Sequence, residues 1–283
     1  MKRILTGVAL ATTAALVTAT PALAAAPKDP VVAVKKQLVP GKGVKFTERI
    51  TQIAGRSREI VTRSSGTLQF SKTGLAASDI SGKFNFPATD QDEIPEGELG
   101  DMLKAITAPE RTIRIGTTSY LSGGIWASML PEGKTWFKAP NGPPAGITGV
   151  FGQPFNVAEV ATLKTLLKGA KPVSGGYAGK IKRGDAWKAS RWMRASLPVK
   201  PSAKEAKGVI SWRLTVNSAG LPTRLVSTFS LGDDVSVSVD TRYTDWGSSV
   251  SIKPPAVGDT SRVFSDGSDE VPPLDTPLLG LGD

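Results

Sequence analysis

The second half of the chain alternates between apolar and polar residues. Between Val235 and Asp240, three valines are separated by serines, which is the period of a β-strand with one buried face. Two preceding segments, residues 208–216 and 221–231, each keep one apolar phase and are joined by a turn at residues 217–220. The pattern predicts a three-stranded antiparallel meander over residues 208–243.

Shorter alternations in the first half predict further strands. The turn at residues 131–134 separates two segments, 126–130 and 135–138, which we expect to pair. One apolar and one polar face are typical of a sheet that is covered on one side and wet on the other. Apolar residues share a phase at Val44, Phe46 and Ile50, at Ile80, Phe84 and Phe86, and at Ile113 and Ile115.

Helical spacing occurs in three short segments. Asp29 and Pro30 supply an N-cap and a first-turn proline for the first segment. Asn156 is interpreted as the N-cap of the third, with Glu159 completing a capping box. Because helices this short depend on packing, we predict an α+β fold in which they cover the sheet. The segments are residues 30–38, 99–106 and 157–167.

The N-terminus has the three parts of a secretory signal peptide. Lys2 and Arg3 form a basic start, residues 4–20 are apolar or small, and residues 22–24 form a small-x-small cleavage site. We expect residues 1–24 to be removed on export, leaving a secreted protein that is extracellular or associated with the cell wall. The sequence has no Cys that could carry a lipid anchor.

Composition limits the available chemistry. The 283 residues include no His and no Cys, which excludes imidazole bases, thiol nucleophiles, disulfides and thiolate metal sites. We therefore expect a protein that is not an enzyme and has no cofactor or metal. The formal net charge is +10, and removal of Lys2 and Arg3 with the leader lowers it to +8.

The order of the predicted elements resembles a known family. A helix at residues 30–38 precedes a strand opening at residues 44–47, the block 120–136 and a late meander closing over residues 243–254. This order is similar to the actinobacterial LppX/LprA/LprF/LprG lipoproteins and, more distantly, to the LolA/LolB carriers, although the lipobox Cys is missing. The resemblance covers residues 28–255.

The resemblance implies a single domain over residues 28–255. Its expected form is a curved antiparallel half-barrel with helices across the concave face and, in several members, a cavity for lipid acyl chains. Residues 256–283, which are rich in Pro, Gly and Asp, are predicted to form a mobile C-terminal tail.

An apolar cavity under the sheet would bind a lipid or another amphiphile. Such a cavity is lined mostly by aliphatic and aromatic side chains. The same residues would also form a closed core, and the sequence does not separate the two arrangements. The predicted lining residues are Phe84, Phe86, Trp126, Trp136, Phe151, Leu163, Leu166 and Leu167.

A basic segment, residues 180–194, carries six cations and one aspartate around two tryptophans. It would suit an anionic lipid headgroup, a wall polymer or a membrane surface, whereas nucleic acid is not expected for an exported protein. The simpler alternative is a solvated hairpin whose long side chains cover apolar surface. The predicted headgroup or surface contacts are Lys182, Arg183, Lys188 and Arg191.

Two acidic segments, residues 90–101 and 266–270, lack calcium-loop spacing and are interpreted as solvated loops.

The main functional prediction is a secreted monomer that binds an amphiphile, with the tails under the sheet and the head near the basic segment. The alternative is an exported structural or regulatory module with a packed core that binds a cell-envelope component or a protein partner. A carboxylate-based hydrolase is the third hypothesis.

Overall fold

The computed structural model describes residues 29–85, 96–150, 152–197, 199–232 and 234–269. The predicted leader, residues 90–95 of the first acidic segment, Phe86 and Phe151 therefore lie outside the described residues.

Twelve strands form one sheet in the described part of the chain. They are β1 (Lys42–Ala54), β2 (Ser57–Ser71), β3 (Gly74–Phe84), β4 (Glu110–Ile115), β5 (Thr118–Gly123), β6 (Trp136–Ala139), β7 (Lys171–Val173), β8 (Gly176–Lys182), β9 (Val209–Val216), β10 (Pro222–Ser230), β11 (Val235–Ser249) and β12 (Thr260–Ser261).

The strand order is β12-β6-β5-β4-β3-β2-β1-β11-β10-β9-β8-β7. The predicted meander is confirmed as β9, β10 and β11. Because β1 pairs with β11, the meander joins the strands of the first half in one open, curved sheet. The α+β class is confirmed, but the sheet is mixed, since β12 runs parallel to β6.

The three predicted helices are present, together with three short ones. The Asp29 carboxylate accepts the Val31 N–H at 2.8 Å, which confirms the first N-cap. The helices are α1 (Pro30–Gln37), α2 (Glu98–Thr107), α3 (Gly124–Met129), α4 (Val160–Lys168), α5 (Arg183–Ala189) and α6 (Arg191–Ser196), with 3₁₀ turns at Ile147–Gly149, Glu205–Lys207 and Val257–Asp259.

The predicted capping box at the third helix is wrong. Asn156 does accept the Ala158 N–H at 2.9 Å, but α4 begins only at Val160. The Glu159 carboxylate instead accepts the Ser190 hydroxyl at 2.9 Å and the Trp192 N–H at 2.8 Å. The Glu159 carboxylate, which the local sequence spacing predicted to cap the start of the helix, is therefore bound by donors about thirty residues away in the sequence.

Two predicted hairpin arms are helical. Residues 124–129 form α3 rather than a strand, because Gly123 and Gly124 take positive φ values of 69° and 53° that turn the chain out of β5. The predicted basic hairpin is also wrong: β8 ends at Lys182 and the chain continues as α5 and α6. Ser190 separates these helices and caps α6 by accepting the Met193 N–H at 3.0 Å.

One face of the sheet is covered and carries two main apolar clusters. The first cluster lies on β1, β2 and β8–β11 under α1, α4, α5 and α6, and the second lies on β3–β6 against α2 and α3. Representative buried members are Leu68, Phe70, Trp212, Leu214 and Leu225 in the first cluster and Leu121, Trp126, Phe137, Ile147 and Phe264 in the second.

A polar seam separates the clusters. In the register of β1 to β4, Glu48, Ser64, Gly82 and Glu110 are consecutive cross-strand partners on the covered face. Strands lie about 4.8 Å apart, so the backbones of Glu48 and Glu110 are separated by roughly 14 Å. Residues 146–150 and 152–156, called the seam segment below, cross the sheet over this row.

Glu110 holds one end of the seam segment. Its carboxylate accepts the Ile147 N–H at 3.1 Å, the Thr148 N–H at 2.8 Å and the Trp126 indole N–H at 3.0 Å. It also accepts the Thr148 hydroxyl. A buried carboxylate is stable only when donors surround it, and Glu110 has four.

Gln153 holds the other end. Its backbone N–H reaches Glu48 at 3.4 Å, and its side-chain amide donates to the Leu225 carbonyl at 3.3 Å and to Thr241 Oγ1 at 3.1 Å. Its amide oxygen accepts the Ser227 hydroxyl. The seam segment is therefore hydrogen-bonded to β4 at one end of the row and to β1, β10 and β11 at the other.

The fold extends beyond the predicted domain end at residue 255. Thr260–Ser261 pair with β6, and the Phe264 ring stacks on Phe137 with centroids 3.9 Å apart. Phe264 is 2% exposed. The second cluster thus includes a residue from the segment predicted as a tail; residues 270–283 lie outside the described residues.

We predict that Gly82→Ala loosens the seam. A Cβ at Gly82 would clash with Thr148 Oγ1 and lie 3.0 Å from Thr148 Cβ. The free energy of unfolding should fall by about 1–3 kcal/mol, the usual cost of overpacking, as measured by urea denaturation. The control is Gly169→Ala, where no atom lies within 4 Å of the new Cβ. Equal effects of the two changes would contradict the prediction.

Candidate functional site

The uncovered face of the sheet carries a trough. Its floor is a cross-strand row of three hydroxyl residues, Thr47, Ser65 and Ser81, which ends in Arg242 on β11 and Arg111 on β4. The three floor residues span about 10 Å, or two strand spacings. Short side chains leave a depression wherever longer ones stand on both sides.

Longer side chains form the two walls. One wall is the cross-strand row of Asp240, Arg49, Arg63 and Lys83, and the other is the row of Thr244, Lys45, Thr67 and Asp79. Two open cavities, of about 570 and 460 Å³, share the hydroxyl floor. The trough is therefore a continuous polar depression that crosses five strands.

Positive charge predominates in the trough, whose lining residues include six cations and three acids, Asp79, Asp240 and Glu48. The Glu48 carboxylate is turned to the seam segment, where it accepts the Gln153 N–H. Asp79 accepts two hydrogen bonds from Arg111, at 2.8 and 2.7 Å. These bonds raise the pKa of Arg111 above its ordinary value, so its charge is retained. Lys45 forms an exposed pair with Asp245 at 3.0 Å.

Asp240 organises one end of the trough. Arg224 binds it through two hydrogen bonds, at 2.7 and 2.8 Å, while Arg49 and Arg242 lie at 3.5 and 3.9 Å. One carboxylate that is 10% exposed thus orients three guanidinium groups. Its hydrogen bonds raise the pKa of Arg224.

Arg63 and Lys83 are the available cations. They are cross-strand partners at the end of one wall that is opposite Asp240, and both are exposed. Within the described residues, neither forms an ion pair of 4.0 Å or less. The trough therefore offers two uncommitted positive charges above a hydroxyl floor, which suits an anionic ligand with hydroxyl groups.

The residues predicted to line an apolar cavity are divided by the seam. Phe84 and Trp126 are buried in the second cluster, whereas Leu163, Leu166 and Leu167 belong to the first. Trp136 points towards the trough face, where the Arg111 guanidinium lies 5.7 Å from its ring centroid. Ligand binding by these residues remains a prediction.

The predicted headgroup residues lie at the far end of the sheet from the trough. Lys182 ends β8, Arg183 and Lys188 lie on α5, and Arg191 begins α6. Lys182, Lys188 and Arg191 are exposed, and Arg183 is half-buried. The structure does not place them beside the predicted apolar residues of the second cluster.

The arrangement of carboxylates gives no support to the hydrolase hypothesis. Glu48 and Glu110 lie three strand spacings apart and both hold the seam segment. Asp79 and Asp240 are bound by arginines. In the described part of the chain, no group of three acidic side chains could hold a metal ion.

Sequence reasoning missed the trough because it followed only the apolar phase of each strand. The opposite phase of β1 reads Lys45, Thr47 and Arg49, and that of β2 reads Arg63, Ser65 and Thr67. Repetition of cation and hydroxyl residues on neighbouring strands was the available signal. The register that aligns the three hydroxyl groups was not available from the sequence.

No helix of the described residues has the length and apolar content to cross a bilayer.

No protein-family model matches the sequence, and no curated protein matches it. The sequence resemblance to the LppX group accordingly remains a prediction.

Solved structures with partial likeness were found. A LolA superfamily protein from Nitrosomonas europaea is 9% identical, with a TM-score of 0.35 and coverage of 78% of this chain and 93% of that chain. A hypothetical protein from Chlamydia trachomatis is 10% identical, with a TM-score of 0.29 and coverage of 79% and 97%. A DUF1329 family protein from Desulfovibrio piger is 11% identical, with a TM-score of 0.30 and coverage of 77% and 92%.

We predict a pH-dependent effect of Glu48→Gln. Burial raises the pKa of Glu48, although bonds from Thr241 and Gln153 oppose the shift. Above pH 4.5 the folded state keeps this proton longer than the unfolded state does, so the wild type loses stability as pH rises through the raised pKa. The glutamine variant lacks this loss.

The measurement is urea unfolding of both proteins from pH 4 to pH 8. The stability of Glu48→Gln relative to wild type should increase across this range, at up to about 1.4 kcal/mol per pH unit, and then level off. Glu132→Gln removes a charge at an exposed position and is the control. A difference that is constant with pH would contradict the role of burial.

Proposed function

We propose that this chain is an exported, non-enzymatic binding protein whose ligand site is the trough. The ligand class is an anionic saccharide, with phosphate or carboxylate groups for the cations and hydroxyl groups for the floor. The observation that carries the proposal is the pair Arg63 and Lys83, which stand exposed and without an ion pair in the described chain above Thr47, Ser65 and Ser81.

The structure supports the proposal in three ways. Asp240 and its arginines form a fixed end wall, so ordering these side chains costs little entropy on binding. The floor hydroxyls both donate and accept hydrogen bonds. The large side chains of the core are buried beneath the opposite face, which agrees with the predicted alternative of a packed module that binds a component of the cell envelope.

We predict that Arg63→Ala/Lys83→Ala weakens binding of oligogalacturonate at least tenfold. A factor of ten is about 1.4 kcal/mol, and a hydrogen bond to a charged group contributes about 1.5–3 kcal/mol. Isothermal titration calorimetry at low and moderate salt is the measurement. The methyl ester of the same oligosaccharide, which keeps the sugar but lacks the charge, should bind weakly to every variant.

Lys72→Ala/Lys253→Ala is the matched control for this experiment. Both lysines are exposed, lie outside the trough, and change the net charge by the same amount. If the control weakens binding as much as the trough variant does, the trough is not the site. Equal affinity for the acid and its methyl ester would also overturn the proposal.

The second candidate function is binding of an amphiphile under the helices. It is favoured by the size of the covering elements, since α3–α6 are only six to nine residues long and cover the apolar face through short stripes. Movement of α4 away from the sheet would expose Leu163 and Leu166. Each buried methylene of a ligand would then contribute about 0.8 kcal/mol.

Native mass spectrometry of the secreted protein tests this second candidate and the predicted export. A stoichiometric adduct that is released on denaturation and extracts as a lipid is the expected result for an amphiphile carrier. The protein mass should correspond to a chain that begins after Ala24. An apo mass that persists after incubation with membrane lipids would exclude the amphiphile, and a mass that includes residues 1–24 would contradict cleavage of the leader.

A further inference from the structure

The cations near α5 and α6 divide into two groups. Arg183 donates to the Ser230 carbonyl at 3.2 Å and lies 5.7 Å from the ring centroid of Phe229. Arg194 donates to the carbonyls of Trp187 and Lys188. Arg183 therefore covers the Phe229 ring, and Arg194 binds carbonyls in the last turn of α5.

The remaining cations are exposed. The 3₁₀ turn Glu205–Lys207 packs against α5, where the Arg183 N–H donates to the Gly208 carbonyl at 2.7 Å. This contact brings lysines from two chain segments to one end of the sheet. We define the basic patch as six exposed cations of this region: Lys182, Lys188, Arg191, Lys200, Lys204 and Lys207.

The acidic groups near the basic patch are already engaged, and Glu159 accepts the Ser190 hydroxyl and the Trp192 N–H. Asp185 pairs with Lys188 at 3.8 Å, and Glu205 accepts the Ser202 N–H at 2.7 Å. The basic patch therefore keeps a large positive excess. Apart from Lys188, no residue of the basic patch forms an ion pair of 4.0 Å or less within the described residues, so the charge of the other five is available to a partner.

Exposed valines accompany these lysines. Val199 is 81% exposed and precedes Lys200, and Val209 is 49% exposed and is the cross-strand partner of Lys182. Apolar side chains beside lysines are typical of surfaces that lie at a membrane interface, where the lysines meet the headgroups and the apolar groups meet the acyl boundary. A soluble polyanion would not use the valines.

We propose that the basic patch docks on an anionic membrane surface. The lysines contact lipid phosphates, and Val199 and Val209 enter the interface. The trough occupies β11 and β1–β4, whereas the patch lies at the β8–β9 end. The patch and the trough therefore lie on different strands, and the docking proposal does not depend on the function proposed for the trough.

The test is cosedimentation of the full mature chain with vesicles of phosphatidylglycerol and phosphatidylcholine (30:70), or of phosphatidylcholine alone. Binding should require the anionic lipid and should weaken as salt rises. Lys204→Ala/Lys207→Ala should lower the partition coefficient roughly 25-fold, since each lysine near an anionic surface contributes about a factor of five. Lys72→Ala/Lys253→Ala should leave it unchanged.

A pair of valine variants separates a membrane from a soluble polyanion. Val199→Asp should reduce vesicle binding at least tenfold, whereas Val257→Asp, at a position that is 88% exposed outside the patch, should reduce it much less. Equal effects of the two variants would mean that only charge is recognised, which overturns the membrane proposal.

Three further results would overturn it. They are equal binding to phosphatidylcholine alone, the absence of sedimentation with anionic vesicles at 50 mM salt, and loss of vesicle binding in Arg63→Ala/Lys83→Ala with retention in the patch variants. Unchanged urea denaturation profiles show that each variant folds.

Discussion

The two carboxylates that hold the seam segment are the constraint on which the rest of the structure depends. A large one-sided sheet requires cover along its full width, but the helices cover only the two apolar clusters. Glu110 and Glu48 hold the chain across the gap by accepting its N–H groups and hydroxyls. If the seam segment moved away from either glutamate, a buried carboxylate and its N–H and hydroxyl donors would lose their partners together. The free-energy cost of that loss fixes the path of the seam segment across the sheet.

The same strands serve both faces of the sheet. Glu48 faces the seam, while its neighbours Thr47 and Arg49 face the trough. Ser64 and Gly82 provide a small-residue track for the seam segment, and Ser65 and Ser81 provide the floor on the other side. Short side chains at matching register positions therefore allow close packing on one face and leave a depression on the other.

The cations of the described chain divide into those that bind other groups of the fold and those that do not. Arg224, Arg111, Arg183 and Arg194 are held by carboxylates or carbonyls. Among the cations left without such partners in the described chain, two groups are used by the proposed functions: Arg63 with Lys83 in the wall of the trough, and the basic patch. The proposed functions use these remaining charges, one for a hydroxyl-rich anion and one for an anionic surface.

The fold class, the late meander, α1, α2 and the stripe of α4 could be predicted from the sequence, because alternation and helical spacing are local properties of the chain. Features that depend on partners distant in sequence became visible only in the folded chain. Glu159 accepts hydrogen bonds from Ser190 and Trp192 instead of completing the predicted capping box. Phe264, from the segment predicted as a tail, stacks on Phe137, and two segments predicted as hairpin arms are helices. The trough was likewise decided by register: the polar phase of each strand is visible in the sequence, but only strand pairing aligns Thr47, Ser65 and Ser81 between two rows of cations.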